Sequence, residues 1–151
     1  FSLDDIFTPV AATGGMVVSE EEIASEIGAN MLKRGGNAVD AAVATALALA
    51  VVLPEAGNLG GGGFMLVHLA KENRTVALDY REVAPRAATR DMYLKPDGSV
   101  DHDELDHGAK SIGVPGTVAG LAYALEHWGT MKWWQVVDPA LALAEIGRAH
   151  V

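Results

Sequence analysis

The sequence predicts a mixed α/β domain in which helices pack against a hairpin of two strands. Three observations carry this. Apolar residues recur at helical spacing through Ile23, Ile27, Met31 and Leu32. A nearly unbroken apolar run extends from Ala41 to Leu53. Two apolar segments, Phe64 to Leu69 and Thr75 to Tyr80, flank the polar turn Lys71-Glu72-Asn73-Arg74. With 151 residues, 50% of them hydrophobic and 21% charged, the chain is long enough and apolar enough to build one domain around a core.

Each element has its own local signal. Met16-Val17-Val18 is a β-branched run after Gly14-Gly15 and reads as a short strand. Ser19 and Glu22 have capping-box spacing, and Glu20 and Glu21 suit the positive end of a helix dipole, so a helix is expected over about 20–34. Lys33-Arg34-Gly35-Gly36 supplies its basic last turn and its glycine stop. Asn37 is placed to cap a second helix with Asp40 in its first turn. From Ala41 to Leu53 only Thr45 is polar, and Pro54 closes the run. That run falls short of the roughly 20 residues that span a bilayer. It predicts instead a small-residue helix buried on several sides.

After "NLGGGGFML" (Asn58 to Leu66) comes the hairpin, most simply antiparallel. Short helical turns are expected from Pro85 to Leu94, a turn at Pro96-Asp97-Gly98, and an acidic loop from Asp101 to His107. A helix follows from about Thr117 to Trp128, stopped by Gly129. The last runs from about Lys132 to Glu145 with Pro139 in its middle. Trp128, Trp133 and Trp134 are expected to fill the groove between these two helices. No internal repeat or linker-like stretch interrupts the chain.

Several function classes are excluded. The net charge of −9 leaves no basic stripe for a nucleic-acid backbone. Without cysteine there is no thiolate nucleophile, disulfide or zinc-thiolate site, and no Gly-x-Ser-x-Gly elbow is present. The four glycines Gly60 to Gly63 invite a phosphate-loop reading, which element order rejects. Phosphate loops follow a strand and open a helix, whose N-terminal amides hold the anion. Here a helix precedes the glycines and a strand follows, with no basic residue between Asn58 and Val67. Two readings stay open for the glycines: a tight corner packed under other chain, or a wall beside a substrate.

The cluster "DHDELDH" (Asp101 to His107) fits neither a helical His-Glu metal motif nor the calcium loop with its central glycine, and reads as solvated. Arg81, in "ALDYREVAP", ends a strand and could grip a carboxylate with its planar fork. Spacing alone favours a local ion pair with Asp79 or Glu82. Tyr80 and His68 read as packing residues.

Both ends carry signals of their own. The chain begins at Phe1, so a start codon and any targeting segment are expected upstream. The last six residues, Ile146-Gly147-Arg148-Ala149-His150-Val151, are what ATC GGA AGA GCA CAC GTC encodes, a stretch that resembles a sequencing adapter. The expected native region is therefore 1–145, a single incomplete domain, with 146–151 foreign to it.

"GGNAVDAAVA" (Gly35 to Ala44), "LPEAGNLGGGGFML" (Leu53 to Leu66), "ALDYREVAPRAATRDMYL" (Ala77 to Leu94) and "GVPGTVAG" (Gly113 to Gly120) resemble, in order and spacing, segments of the γ-glutamyltransferase family, also called γ-glutamyltranspeptidases or glutathione hydrolases. The resemblance covers about Gly15 to Glu145. It implies an N-terminal-nucleophile hydrolase with an αββα sandwich, incomplete in this stretch, made as a precursor that cleaves itself. A threonine at the new N-terminus of the small subunit is then the nucleophile, with its own α-amino group as base. That threonine attacks the γ-glutamyl amide of glutathione, and water or an amino acid resolves the γ-glutamyl-enzyme.

The resemblance places this stretch in the large subunit, without the nucleophile, so it implies no catalytic residue here and no activity of the stretch alone. Arg81 carries over as the residue that grips the α-carboxylate of the γ-glutamyl group. The implied partners are the small-molecule substrate and the small subunit of the same precursor, with no cofactor, no metal and no nucleic acid. A periplasmic or extracellular location is implied as well. Two alternatives accompany this reading: a related acylase for glutaryl or β-lactam side chains, and a non-catalytic small-molecule binding module.

Overall fold

The computed structural model describes residues 11–146; positions 147–151 of the expected foreign tail lie outside it. Helix α1 (Glu22–Lys33) ends as its sequence predicts. Gly35 takes a positive φ of 88°, and the Gly35 and Gly36 amides donate back to the Leu32 and Met31 carbonyls. This is the paired turn that lets glycine close a helix. Its start differs from expectation. The Ser19 side chain makes no capping box; its hydroxyl donates to the Glu21 carbonyl and lies 2.7 Å from the Ser25 hydroxyl. The helix accordingly begins at Glu22, two residues later than the capping spacing implied.

Helix α2 (Ala38–Val52) is the centre of the molecule, and its capping box is complete: Asn37 accepts from the Val39 and Asp40 amides, while Asp40 accepts from the Asn37 amide. Its alanines let neighbours approach closely. Gly28 of α1 packs so tightly on it that a Cβ there would overlap the Thr45 hydroxyl. Helix α4 (Thr117–Trp128) and helix α5 (Trp133–Ile146) also pack on α2. Met31, Val43, Leu121 and Val136 meet in the core, each at most 1% exposed.

Strands β1 (Phe64–Leu69) and β2 (Arg74–Asp79) form the expected antiparallel hairpin, with Phe64 opposite Asp79 and Leu69 opposite Arg74. Asn73 turns it in the left-handed region at φ 46°. Met65, Val67, Leu69, Val76 and Leu78 face the helices, whereas Phe64 and Leu66 face outward. The run that reads as uniformly apolar is thus covered on one face only.

Three further expectations are corrected. Met16-Val17-Val18 forms no strand, since the described sheet contains only β1 and β2; Val17 packs on the core while Val18 is 81% exposed. The stretch Asp101 to His107 is a short helix, α3 (His102–Asp106), rather than a loop, because the Asp101 side chain caps it through the Glu104 amide. The tryptophans do not fill the groove between α4 and α5. Trp128 packs against the core and meets Tyr123 edge-on, but Trp133 and Trp134 lie exposed. The buried residues of these two helices include Leu121, Ala124, Leu125, Val136 and Ala140 instead. From Pro85 to Leu94 the chain makes hydrogen-bonded turns, as expected. No helix among the described residues is long and apolar enough to cross a membrane.

Candidate functional site

Where β2 ends, the chain passes between two walls of glycine. On one side stand Gly62 and Gly63, on the other Gly116 and Gly120. A Cβ on Gly62 would lie 2.6 Å from the Tyr80 carbonyl oxygen and 2.7 Å from the Arg81 Cα. A Cβ on Gly116 would overlap that same carbonyl oxygen, and one on Gly120 would overlap the Tyr80 ring. The glycines of the β1 approach therefore serve close approach of backbone rather than unusual dihedrals: none of Gly60 to Gly63 has a positive φ. This resolves one of the two open readings, the packed corner.

Hydrogen bonds fix the strip along its length. The Tyr80 amide donates to the Gly63 carbonyl at 3.0 Å, and Val83 exchanges two bonds with Val114 at 3.3 and 2.8 Å. The amides at the start of α4, those of the capping Gly116 and of Thr117, donate to the Gly61 carbonyl at 2.8 and 3.0 Å. A helix N-terminus that would suit an anion is thus occupied from within the chain, which adds to the case against phosphate. Asn58 completes the corner: its Oδ1 accepts from the Gly61 amide at 3.0 Å and from the Thr117 hydroxyl at 2.6 Å.

The Tyr80 ring is half-buried between Gly63 and Gly120, and burial raises its phenol above the ordinary value, so it stays protonated at neutral pH. Arg81 is exposed. Its amide donates to Asp79 Oδ1 at 3.0 Å, so the carboxylate expected to pair with its side chain is held by backbone instead. Among the described residues no hydrogen bond or ion pair engages the Arg81 guanidinium. What results is an unpaired cation on a backbone clamped from both sides, a form suited to a carboxylate ligand.

The other candidates stay apart from it. His68 lies on the outer face of the hairpin, its Nδ1 3.0 Å from the Thr75 hydroxyl. Among the described residues no group of three or more His, Asp or Glu side chains is placed to share a metal ion. An open groove of about 960 Å³, lined by residues 14–20 and by Leu32, Ala41, Thr45 and Leu49, does not include Arg81, and among the described residues Glu20 is the only charged side chain on it. Sequence reading missed the pairing of Asn58 with Thr117 and the second glycine wall. The available signal was the spacing of Gly116 and Gly120, four apart and hence on one face of a helix.

Most of the chain is similar to known proteins. The gamma-glutamyltranspeptidase family profile matches residues 24–149. A glutathione hydrolase proenzyme of Pseudomonas sp. (strain A14) is 53% identical over 139 residues, 92% of this chain and 24% of the relative. The crystal structure of the Helicobacter pylori gamma-glutamyltranspeptidase superposes with a TM-score of 0.84 at 50% identity, covering 90% of this chain and 39% of that one. An acylase ACY 1 proenzyme of Pseudomonas sp. (strain V22) is 41% identical over 145 residues, 92% of this chain and 26% of the relative. The chain thus spans about a quarter of the length of the curated relatives it matches. Its helices and hairpin are part of the αββα fold of the N-terminal-nucleophile hydrolases. The chain belongs to the gamma-glutamyltranspeptidase family.

Proposed function

We propose that this chain is the part of a glutathione hydrolase precursor that holds the α-carboxylate of a γ-glutamyl substrate, with Arg81 as the clamp. The observation that carries the reading is the Arg81 guanidinium, exposed and without a partner among the described residues, on backbone locked between two glycine walls. A carboxylate accepts two parallel N–H bonds from such a fork, which fixes both the distance and the plane of the substrate's end. With that end held, the γ-carbonyl carbon is presented to the nucleophilic threonine of the small subunit. The threonine oxygen bonds to that carbon, the C–N bond breaks, and the leaving amine departs with a proton. Water or an acceptor amino acid then attacks the ester and frees the threonine. The active unit in this reading comprises both subunits of the cleaved precursor, located in the periplasm or outside the cell. Residues 11–146 alone release no γ-glutamyl group.

The test is Arg81→Lys in the full-length precursor. Lysine keeps the charge and loses the fork, so KM for γ-glutamyl-p-nitroanilide rises about 10- to 100-fold, the range of a lost hydrogen bond to a charged group. Self-cleavage, followed as conversion of the precursor band, stays near wild type. An unchanged KM overturns the assignment.

The acylase relative favours a second reading, that of a related acylase, whose substrate in this reading is a glutaryl or β-lactam side-chain amide. Arg81 cannot separate a glutaryl chain from a γ-glutamyl one, because both end in a carboxylate; the difference is the α-ammonium group. Side-by-side turnover of γ-glutamyl-p-nitroanilide and a glutaryl amide decides between them.

A further inference from the structure

We infer that Thr117 and Asn58 form a clasp that positions Arg81 for the substrate carboxylate. The inference rests on the reading of Arg81 given above and adds two residues that touch no substrate. The Thr117 hydroxyl donates to Asn58 Oδ1 at 2.6 Å, and the same oxygen accepts from the Gly61 amide at 3.0 Å. Thr117 is 6% exposed, so its hydroxyl has little access to replacement by water. The Gly61 carbonyl in turn receives the Gly116 and Thr117 amides. Asn58, Gly61 and Thr117 therefore close a ring of hydrogen bonds that ties the glycine corner to the start of α4.

Arg81 lies against both members of that ring's surroundings. Gly62, next to Gly61, faces the Arg81 Cα; Gly116, next to Thr117, has its Cβ direction 3.3 Å from the Arg81 carbonyl oxygen. Without the Thr117–Asn58 bond, the corner and the start of α4 are tied only through the Gly61 carbonyl, and the strip between them gains freedom to rotate. A small rotation at Cα becomes a large displacement at the far end of an arginine side chain. Bidentate recognition tolerates little of that, since supporting residues must hold such a group to within a fraction of an ångström.

The role predicts an effect on substrate binding separate from chemistry, because the nucleophile belongs to another part of the precursor. Thr117→Val keeps the shape and removes the donor. In the full-length precursor it raises KM for γ-glutamyl-p-nitroanilide about three- to tenfold, the factor that corresponds to one hydrogen bond, while kcat and self-cleavage change much less. Thr117→Ser restores the hydroxyl and brings KM back. Asn58→Ala removes the acceptor and raises KM as well. The double variant Asn58→Ala with Thr117→Val is no worse than Asn58→Ala alone, because both remove the same bond.

Arg81→Lys is measured beside them. If it raises KM and Thr117→Val and Asn58→Ala do not, the clasp is overturned and the clamp stands. If Arg81→Lys leaves KM unchanged, the clamp falls and the clasp with it. Should Thr117→Val fail to fold, the Asn58→Ala variant carries the decision alone, and a KM equal to wild type overturns the clasp. A fall in kcat equal to the rise in KM, not rescued by serine, also overturns it, since general destabilisation would produce that pattern.

Discussion

Asp40 shows how a single side chain can organise the contacts of distant segments. It is fully buried and accepts four hydrogen bonds: from the Asn37 amide and Thr130 hydroxyl at Oδ2, and from the Thr130 and Met131 amides at Oδ1. Asn37 adds a bond from its own Nδ2 to the Trp128 carbonyl, so the start of α2 is latched to the turn between α4 and α5. Burial alone would raise the Asp40 carboxyl; the hydrogen bonds from Thr130, Met131 and Asn37 more than offset it and hold its pKa below the ordinary carboxylate value. The sign of the pH dependence follows. The stabilisation is fully present above the unfolded value near 3.9 and is lost as pH falls from there through the lower folded value. Asp40→Asn presents an NH₂ to one of the two donor pairs, and the loss is about 2 to 4 kcal/mol at neutral pH. Urea unfolding of the full-length precursor at pH 7 and pH 3 checks both parts: the gap between wild type and variant is large at pH 7 and narrows at pH 3.

At the scale of elements, the hairpin and α4 meet through absent side chains. Gly116, which caps α4, and Gly120, one turn into it, admit the Tyr80 carbonyl and the Tyr80 ring respectively. Gly120→Ala forces its methyl group into that ring and destabilises by about 1 to 3 kcal/mol. In a Tyr80→Gly background, which removes both the ring and the Tyr80 Cβ that the methyl group would meet, the same change costs much less, so the two losses are far from additive in a thermal or urea melt. This contact also marks what could be read from sequence. The extents of α2, β1, β2 and α4 followed from Asn37, Pro54, the polar turn at 71–74 and Gly129, because each is a local signal. Arg81 was legible as a strand-end cation, yet local spacing pointed to an ion pair, and only the fold shows Asp79 bonded to backbone instead. Asp40 read as an ordinary first-turn acid, since its partners Thr130 and Met131 lie ninety positions away. Met16 to Val18 has strand composition without a strand, because a ladder needs a partner that no local pattern can supply.

Across the whole molecule, the hairpin is covered on one face and bare on the other. Phe64 and Leu66 point outward at 66% and 76% exposure, and a two-stranded hairpin has both edges open. Two opposing forces then act on this segment in isolation. The net negative charge, −9 over the full sequence, repels other copies, while the apolar face and strand edges attract them. Salt screens the first and leaves the second, so association of residues 11–146 alone rises with ionic strength as well as with concentration. Light scattering across a salt series measures this, and a monomer at every salt concentration contradicts it. Leu66→Lys separates the bare face from the edges, because it changes the face and leaves the backbone untouched. In the isolated segment it lowers association. In the full-length precursor proposed above, where we expect further chain to cover this face, it buries an unpaired charge and reduces the yield of folded, self-cleaved protein. Opposite signs in the two contexts are the expected result. A neutral effect in the precursor means that the face stays open to solvent there, and the sandwich is then completed elsewhere.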